Sequence, residues 1–234
     1  MRAITRKELK AYFSSPIGYV CVSVLLALYG YYFYQVLMLR SSSYIASVYS
    51  TMFIWSMMII PIITMRCFSE EMRNKTDQAL LTAPVGVTSI VAGKVLAAFL
   101  VFAIAMVGSL IPVVIIGFFS SPSWALIFGN FFGSLLYGAA MIAVGVFISS
   151  LTQSQIVAAI GTFGISIILL VIDQLTSVIS NPAVTKLIGW ISFNTRYQPF
   201  TKGIFDVSSI VFFLSVIAVF IFLTARKLES RRWS

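Results

Sequence analysis

Residues 95–172 decide the fold: VLAAFLVFAIAMVGSLIPVVIIGFFSSPSWALIFGNFFGSLLYGAAMIAVGVFISSLTQSQIVAAIGTFGISIILLVI contains no Asp, Glu, Lys or Arg. Lipid gives the backbone no hydrogen-bonding partner, so only helices and closed barrels span a bilayer. The apolar runs are continuous and lack the alternation of a barrel strand. One spanning helix needs about 20 residues. Polar breaks at 120–123 and 149–155 therefore predict three helices, at 95–119, 124–148 and 156–172.

Three more charge-free stretches predict spanning helices at 17–39, 44–65 and 207–225. The composition agrees with a membrane protein, because 59% of residues are hydrophobic and 10% are charged, against about 25% charged in soluble domains. A soluble enzyme and a disordered chain are excluded. The sequence predicts an all-α integral membrane protein with six transmembrane helices, forming a single transmembrane domain over residues 1–234.

The distribution of Lys and Arg predicts the orientation. If the N-terminus is cytoplasmic, the inner segments carry twelve of these residues and the outer segments carry four, Arg40, Lys186, Arg196 and Lys202. The positive-inside rule favours this arrangement, with both termini in the cytoplasm. The same rule accounts for most of the net charge of +9, so we expect no nucleic-acid partner.

The sequence has few residues of the types that catalyse reactions, bind metals or carry ions through a membrane. The chain has no His, and Cys21 and Cys67 have no metal-ligand spacing. No predicted span has a charge at its middle, which disfavours a proton- or ion-driven carrier. We therefore expect no catalytic, metal-binding or cofactor-binding residue in this chain.

Residues 1–16 predict an interfacial helix that lies on the inner leaflet and contacts membrane lipid. Arg2, Arg6 and Lys10 form one stripe, with Lys7 beside it. The apolar residues are expected largely on the other side, where Glu8 interrupts them: Ile4, Leu9, Tyr12 and Phe13. A basic flanking tail without defined structure is the alternative.

Residues 66–94 form the most charged connection between spans and contain a short predicted helix. Thr76 is a plausible N-cap, Asp77 follows it, and Pro84 ends the element. Leu80 and Leu81 are apolar, and a two-turn helix is unstable alone in water. It must pack either against the ends of its own spans or against a partner protein.

Pairs of glycines indicate close helix packing. Gly129 and Gly133 favour packing inside one subunit, although dimerisation stays open. Gly161 and Gly164 are the first candidates for contact with a second copy of the permease, since two-fold pairing is the commonest oligomer.

The chain resembles the ABC-2 type permeases, and most closely their gliding-motility (GldF-like) subfamily, over residues 1–172. Residues 14–19, 61–71, 75–85, 93–94 and 149–158 carry the resemblance, including Glu-Glu, Thr-x-x-x-Leu-Leu-Thr-x-Pro and Gly-Lys in order. Lys75 departs from the pattern, because relatives commonly have Gly there.

The resemblance implies a type V exporter-like fold in the bacterial cytoplasmic membrane, with a coupling helix that seats on an ATP-hydrolysing subunit. Residues implied in ATPase coupling are Glu70, Glu71, Arg73, Thr76, Asp77, Leu80, Leu81 and, in the turn between spans four and five, Gln153. Residues 173–206 would form re-entrant outer helices; an extracellular loop is the alternative.

ATP would bind elsewhere, because the chain has no G-x-x-x-x-G-K-S/T phosphate loop. We expect a permease subunit, an exporter, whose partner ATPase holds ATP and Mg²⁺. The alternative is a non-transporting scaffold or mechanical transducer, coupled to an ATPase and to an outer-surface partner such as an accessory protein with an extracellular domain.

Overall fold

The computed structural model describes residues 1–38, 45–76, 86–119, 123–178 and 189–232. Their regular secondary structure is helical, and these residues include no strand. The helices are α1 (Arg2–Ser14), α2 (Pro16–Met38), α3 (Ile45–Thr64), α4 (Ser69–Arg73), α5 (Val87–Gly108), α6 (Leu110–Phe119), α7 (Trp124–Ser149), α8 (Gln155–Val178), α9 (Phe193–Thr201) and α10 (Val207–Arg232).

Six helical segments of the described chain are long and apolar enough to cross a membrane. They are Pro16–Met38, Ser47–Arg73, Val87–Phe118, Trp124–Ser149, Gln155–Ile172 and Val207–Ser230. The all-α fold with six candidate transmembrane helices is thus confirmed. The third segment is interrupted at Ser109, because Pro112 has no N–H for the carbonyl of Gly108.

Several helices extend beyond the limits that the charges suggested. Helix α5 begins at Val87 rather than near Val95, because Lys94 is paired and buried inside it. Helices α8 and α10 continue to Val178 and Arg232. A charge ends the apolar stretch of a helix, but it does not end the hydrogen-bonded backbone.

Helix α7 lies at the centre of the bundle and contacts α3, α5, α8, α9 and α10. Its glycines allow this close approach. A Cβ atom on Gly138 would lie 2.3 Å from the Phe102 ring of α5, and one on Gly145 would lie 2.3 Å from Thr64 of α3. Neither position has room for a side chain, so the two glycines set the spacing of the core.

Helix α9 lies within the predicted outer segment 173–206 and packs on the same central helix. A Cβ on Gly129 or Gly133 would lie 2.6 or 2.7 Å from atoms of Phe200, so this pair accommodates α9 within the subunit. Tyr197 adds a hydrogen bond with Ser134 at 3.0 Å. The segment is therefore helical at Phe193–Thr201, while 179–188 lies outside the described residues.

Candidate functional site at the charged end of the bundle

We use "charged end" for the end of the bundle formed by α1, residues 66–76, the start of α5 and the turn 150–154. Lys94 lies at its centre with only 1% of its side chain exposed. Its Nζ is 3.0 Å from Glu8 Oε1 and 2.9 Å from Glu71 Oε1. It also donates a hydrogen bond to the Cys67 carbonyl at 2.7 Å. The three acceptors match the three donors of an ammonium group, which makes burial of the charge tolerable.

This ionic cluster joins three separate parts of the chain. Glu8 belongs to α1, Glu71 to α4 and Lys94 to α5. Lys7 lies at the rim, with its Nζ 3.6 Å from Glu71 Oε1. The two lysines balance the two carboxylates, and both carboxylates are mostly buried, with 15% and 14% of their side chains exposed. The N-terminal helix is thereby attached to the connection between the second and third spans.

A second contact fixes the end of α3 against α1. Arg66 donates to Ser15 Oγ at 2.6 Å and lies over the Tyr12 ring, 5.3 Å from its centroid. The Tyr12 hydroxyl donates to the Ile63 carbonyl at 2.7 Å. Burial raises the pKa of Tyr12 well above its ordinary value, so the hydroxyl stays protonated and remains a donor.

Ser149 brings the other predicted contact segment to the same place. Its Oγ accepts the backbone N–H groups of Phe68 at 3.0 Å and Ser69 at 3.2 Å, and it donates to the Met65 carbonyl at 3.0 Å. Helix α4 also contacts α8. The start of the 66–94 connection and the turn after α7 therefore lie side by side.

A polar cavity of about 250 Å³ opens between α1 and residues 66–76. Its wall includes Lys7, Glu8, Glu70, Glu71 and Thr76. The far carboxylate oxygen of Glu71, Oε2, is buried and has no hydrogen-bond partner within the described residues. The ionic cluster and the exposed residues Asn74 and Thr76, which follow α4, line the same cavity.

The residues predicted for ATPase coupling fall into three groups. Glu71 points inward to Lys94, and Glu70 pairs with Arg66 at 3.3 Å. Arg73, Thr76 and Gln153 are exposed at the charged end. Asp77, Leu80 and Leu81 lie outside the described residues.

Sequence reasoning missed Glu8, Lys94 and Ser149 as members of this site. Two of them carried a signal: Glu8 is the one acid in the basic segment 1–16, and Lys94 is a lone cation beside a long apolar run. An isolated charge next to apolar residues needs a partner of opposite sign. Ser149 carried no signal beyond its place at the end of a predicted span.

Helix α8 presents an apolar surface that includes the predicted dimer residues. Ile156, Ile160 and Val157 are exposed along it. A Cβ on Gly161 would lie 3.0 Å from Ile148 of the same chain, whereas one on Gly164 would have no neighbour within 4 Å. Gly164 therefore has space for an approaching helix, and its role in dimerisation stays a prediction.

Comparison with known proteins identifies the family. The family model described as "ABC-2 family transporter protein" matches residues 2–232, nearly the whole chain. No curated protein matches the sequence. Members of this family are membrane transport subunits that generally work with an ABC ATPase. The protein is a multi-pass membrane protein that belongs to the ABC-2 transporter family.

Proposed function

We propose that this chain is the permease of an ABC exporter and that a separate ATPase docks on its charged end. The observation that carries the proposal is the hydrogen bonding of Ser149 to the backbone of Phe68 and Ser69. It holds the two segments predicted to touch the ATPase next to one another. Thr76 and Gln153 are exposed at this end, and in this proposal one partner surface contacts both.

The ionic cluster supplies a path for mechanical coupling. A partner that moves residues 76–82 pulls on α4, and Glu71 passes that displacement to Lys94 on α5 and through it to Glu8 on α1. Ser149 passes it to α7, the central helix. Closure of an ATPase pair would thereby tilt helices on both sides of the bundle. ATP and Mg²⁺ belong to the partner in this scheme.

The functional unit in this proposal is a homodimer of permeases with two ATPases in the bacterial cytoplasmic membrane, of the gliding-motility (GldF-like) type. Gly161 and Gly164 of α8 are the first candidates for the contact between permeases. Support comes from the open space at Gly164 and from the apolar surface around it. Both termini are cytoplasmic, as the Lys and Arg distribution favours.

Co-purification tests the docking. The permease is tagged and expressed with the neighbouring ATPase, and the double variant Leu80→Asp, Leu81→Asp is compared with Ser123→Asp, which lies at the opposite end of α7. Burial of one Leu side chain is worth roughly 1.5–3 kcal/mol. We therefore expect the double variant to lose ATPase while Ser123→Asp retains it. Full ATPase recovery with normal ATP turnover in the double variant would disprove the docking site.

A further inference from the structure

Helix α1 carries its cations and part of its apolar surface on the same face. Arg6 and Lys10 line a groove of about 410 Å³ together with Leu9 and Phe13. The sequence pattern had placed Leu9 and Phe13 largely on the opposite side from the cations, and this is wrong. Residues four apart on a helix are neighbours, so Arg6 lies beside Lys10 and Leu9 lies beside Phe13.

The face of α1 that packs most closely on the protein is a different one. The Tyr12 hydroxyl binds the Ile63 carbonyl, and Ile4 lies against Gly93, where a Cβ would be 3.1 Å away. Glu8 faces the same way and is paired with Lys94. Leu9 and Phe13 are half-buried and pack in part against the core. Arg6 and Lys10 are exposed, so the groove is open on its cationic side, and the acid of α1 is already neutralised.

The groove is continuous with a surface that faces lipid. The Phe13 and Tyr19 rings meet edge to face, with centroids 5.3 Å apart. Tyr19 is 58% exposed, and it lies in the first turn of α2, which is a candidate membrane span. Tyrosines at such positions lie at the level of the lipid headgroups. The groove thus opens at the membrane interface.

We propose that this groove binds a phospholipid with an anionic headgroup. Within the described part of the chain, Arg6 and Lys10 form no salt bridge, so their charge is available to a phosphate. The exposed parts of Leu9 and Phe13 contact the acyl chains, while the long stems of Arg6 and Lys10 carry the charges out to the headgroup. This combination of buried apolar groups and exposed cations is how interfacial helices bind anionic lipids.

Charge decides which lipid is preferred. Each Lys or Arg near an anionic surface contributes about 1 kcal/mol, so removal of two cations should weaken binding on the order of 30-fold. A zwitterionic headgroup offers one phosphate together with a positive group that the two cations repel. We therefore expect phosphatidylglycerol to bind more tightly than phosphatidylcholine.

The test measures binding of a fluorescent phosphatidylglycerol to the purified full chain in neutral detergent micelles. Unlabelled phosphatidylglycerol, phosphatidylcholine and glycerol phosphate serve as competitors. We expect phosphatidylglycerol alone to compete strongly. Equal competition by phosphatidylcholine would overturn the charge preference, and equal competition by glycerol phosphate would show a site for free anions instead of a lipid site.

Variants locate the site. Arg6→Gln with Lys10→Gln should weaken binding on the order of 30-fold, whereas Lys75→Gln with Lys202→Gln, which has the same net charge, should leave it unchanged. Arg6→Lys with Lys10→Arg keeps both charges and should bind normally, which separates charge from any effect on folding. Unchanged binding in the first variant, or equal loss in the first two, would place the lipid elsewhere and refute the proposal.

Discussion

Lys94→Met is expected to destabilise the protein strongly, because it removes the buried cation that pairs with both Glu8 and Glu71. The two carboxylates would face each other with little solvent, since only 15% and 14% of their side chains are exposed. At an effective dielectric constant near 20, opposite unit charges 4 Å apart attract by about 4 kcal/mol. Loss of the lysine charge removes attractions of this order from both carboxylates. Removal of one partner of a buried pair costs about 3–5 kcal/mol, which corresponds to a fall in apparent Tm of roughly 6–20 °C.

The assay is thermal unfolding of the detergent-solubilised permease, followed by the loss of monodisperse protein. Lys7→Met is the matched control, because Lys7 approaches the same carboxylates but is 65% exposed; it should cost less than about 1 kcal/mol. A triple variant with Lys94→Met, Glu8→Gln and Glu71→Gln has no uncompensated buried charge, because the remaining Lys7 is 65% exposed, and it should regain more than half of the lost stability. If Lys94→Met matches Lys7→Met, or if the triple variant is no more stable than Lys94→Met, the reasoning is refuted.

Four further substitutions test the packing described above and the N-terminal cap of α10, where Asp206 accepts the backbone N–H groups of Ser208 at 3.2 Å and Ser209 at 3.0 Å. Ser149→Ala leaves two buried N–H groups without an acceptor and should cost about 1–3 kcal/mol in the same thermal assay; unchanged stability would contradict this contact. Gly138→Ala should cost about 1–3 kcal/mol through a clash in the core, whereas Gly164→Ala should leave the monomer's stability unchanged; equal effects would contradict the packing. Hydrogen bonds from Ser209 lower the pKa of Asp206 at the start of α10, so its stabilising effect is present above the unfolded pKa near 4 and is lost as the pH falls through the lowered folded pKa. Asp206→Asn should remove this acid dependence, and an unchanged pH profile of unfolding would refute the capping role.

Charge-free stretches predicted the helices well because lipid imposes a simple rule on length and polarity. The rule does not cover a charged residue that is paired inside the fold, and there the predicted start of the helix was wrong. Lys94 was treated as the end of a span because a lone charge is costly in lipid, yet its partner Glu8 lies 86 residues away in sequence. Only the fold brings the two together, so no local pattern could reveal the pair.

The candidate site could likewise be predicted from the sequence only in part. Exposure of Thr76 and Gln153 followed from their places in polar connections. The inward direction of Glu71 did not, because Glu70 and Glu71 are equivalent in sequence and differ only in which side of α4 faces Lys94. The sequence also could not predict which element packs against Gly129 and Gly133. A pair of glycines indicates close packing but does not identify the neighbouring element.

The central claim is that one ATPase contacts both polar segments at the charged end, and site-directed crosslinking tests it most directly. Thr76→Cys and Gln153→Cys are placed separately in the chain, whose own Cys21 and Cys67 are buried. Ser123→Cys is the control, because α7 separates it from the charged end by about 39 Å. A short bifunctional thiol reagent should join the ATPase to the first two positions and not to the third. Crosslinking at Ser123→Cys, or its absence at both Thr76→Cys and Gln153→Cys in an intact complex, would contradict the account.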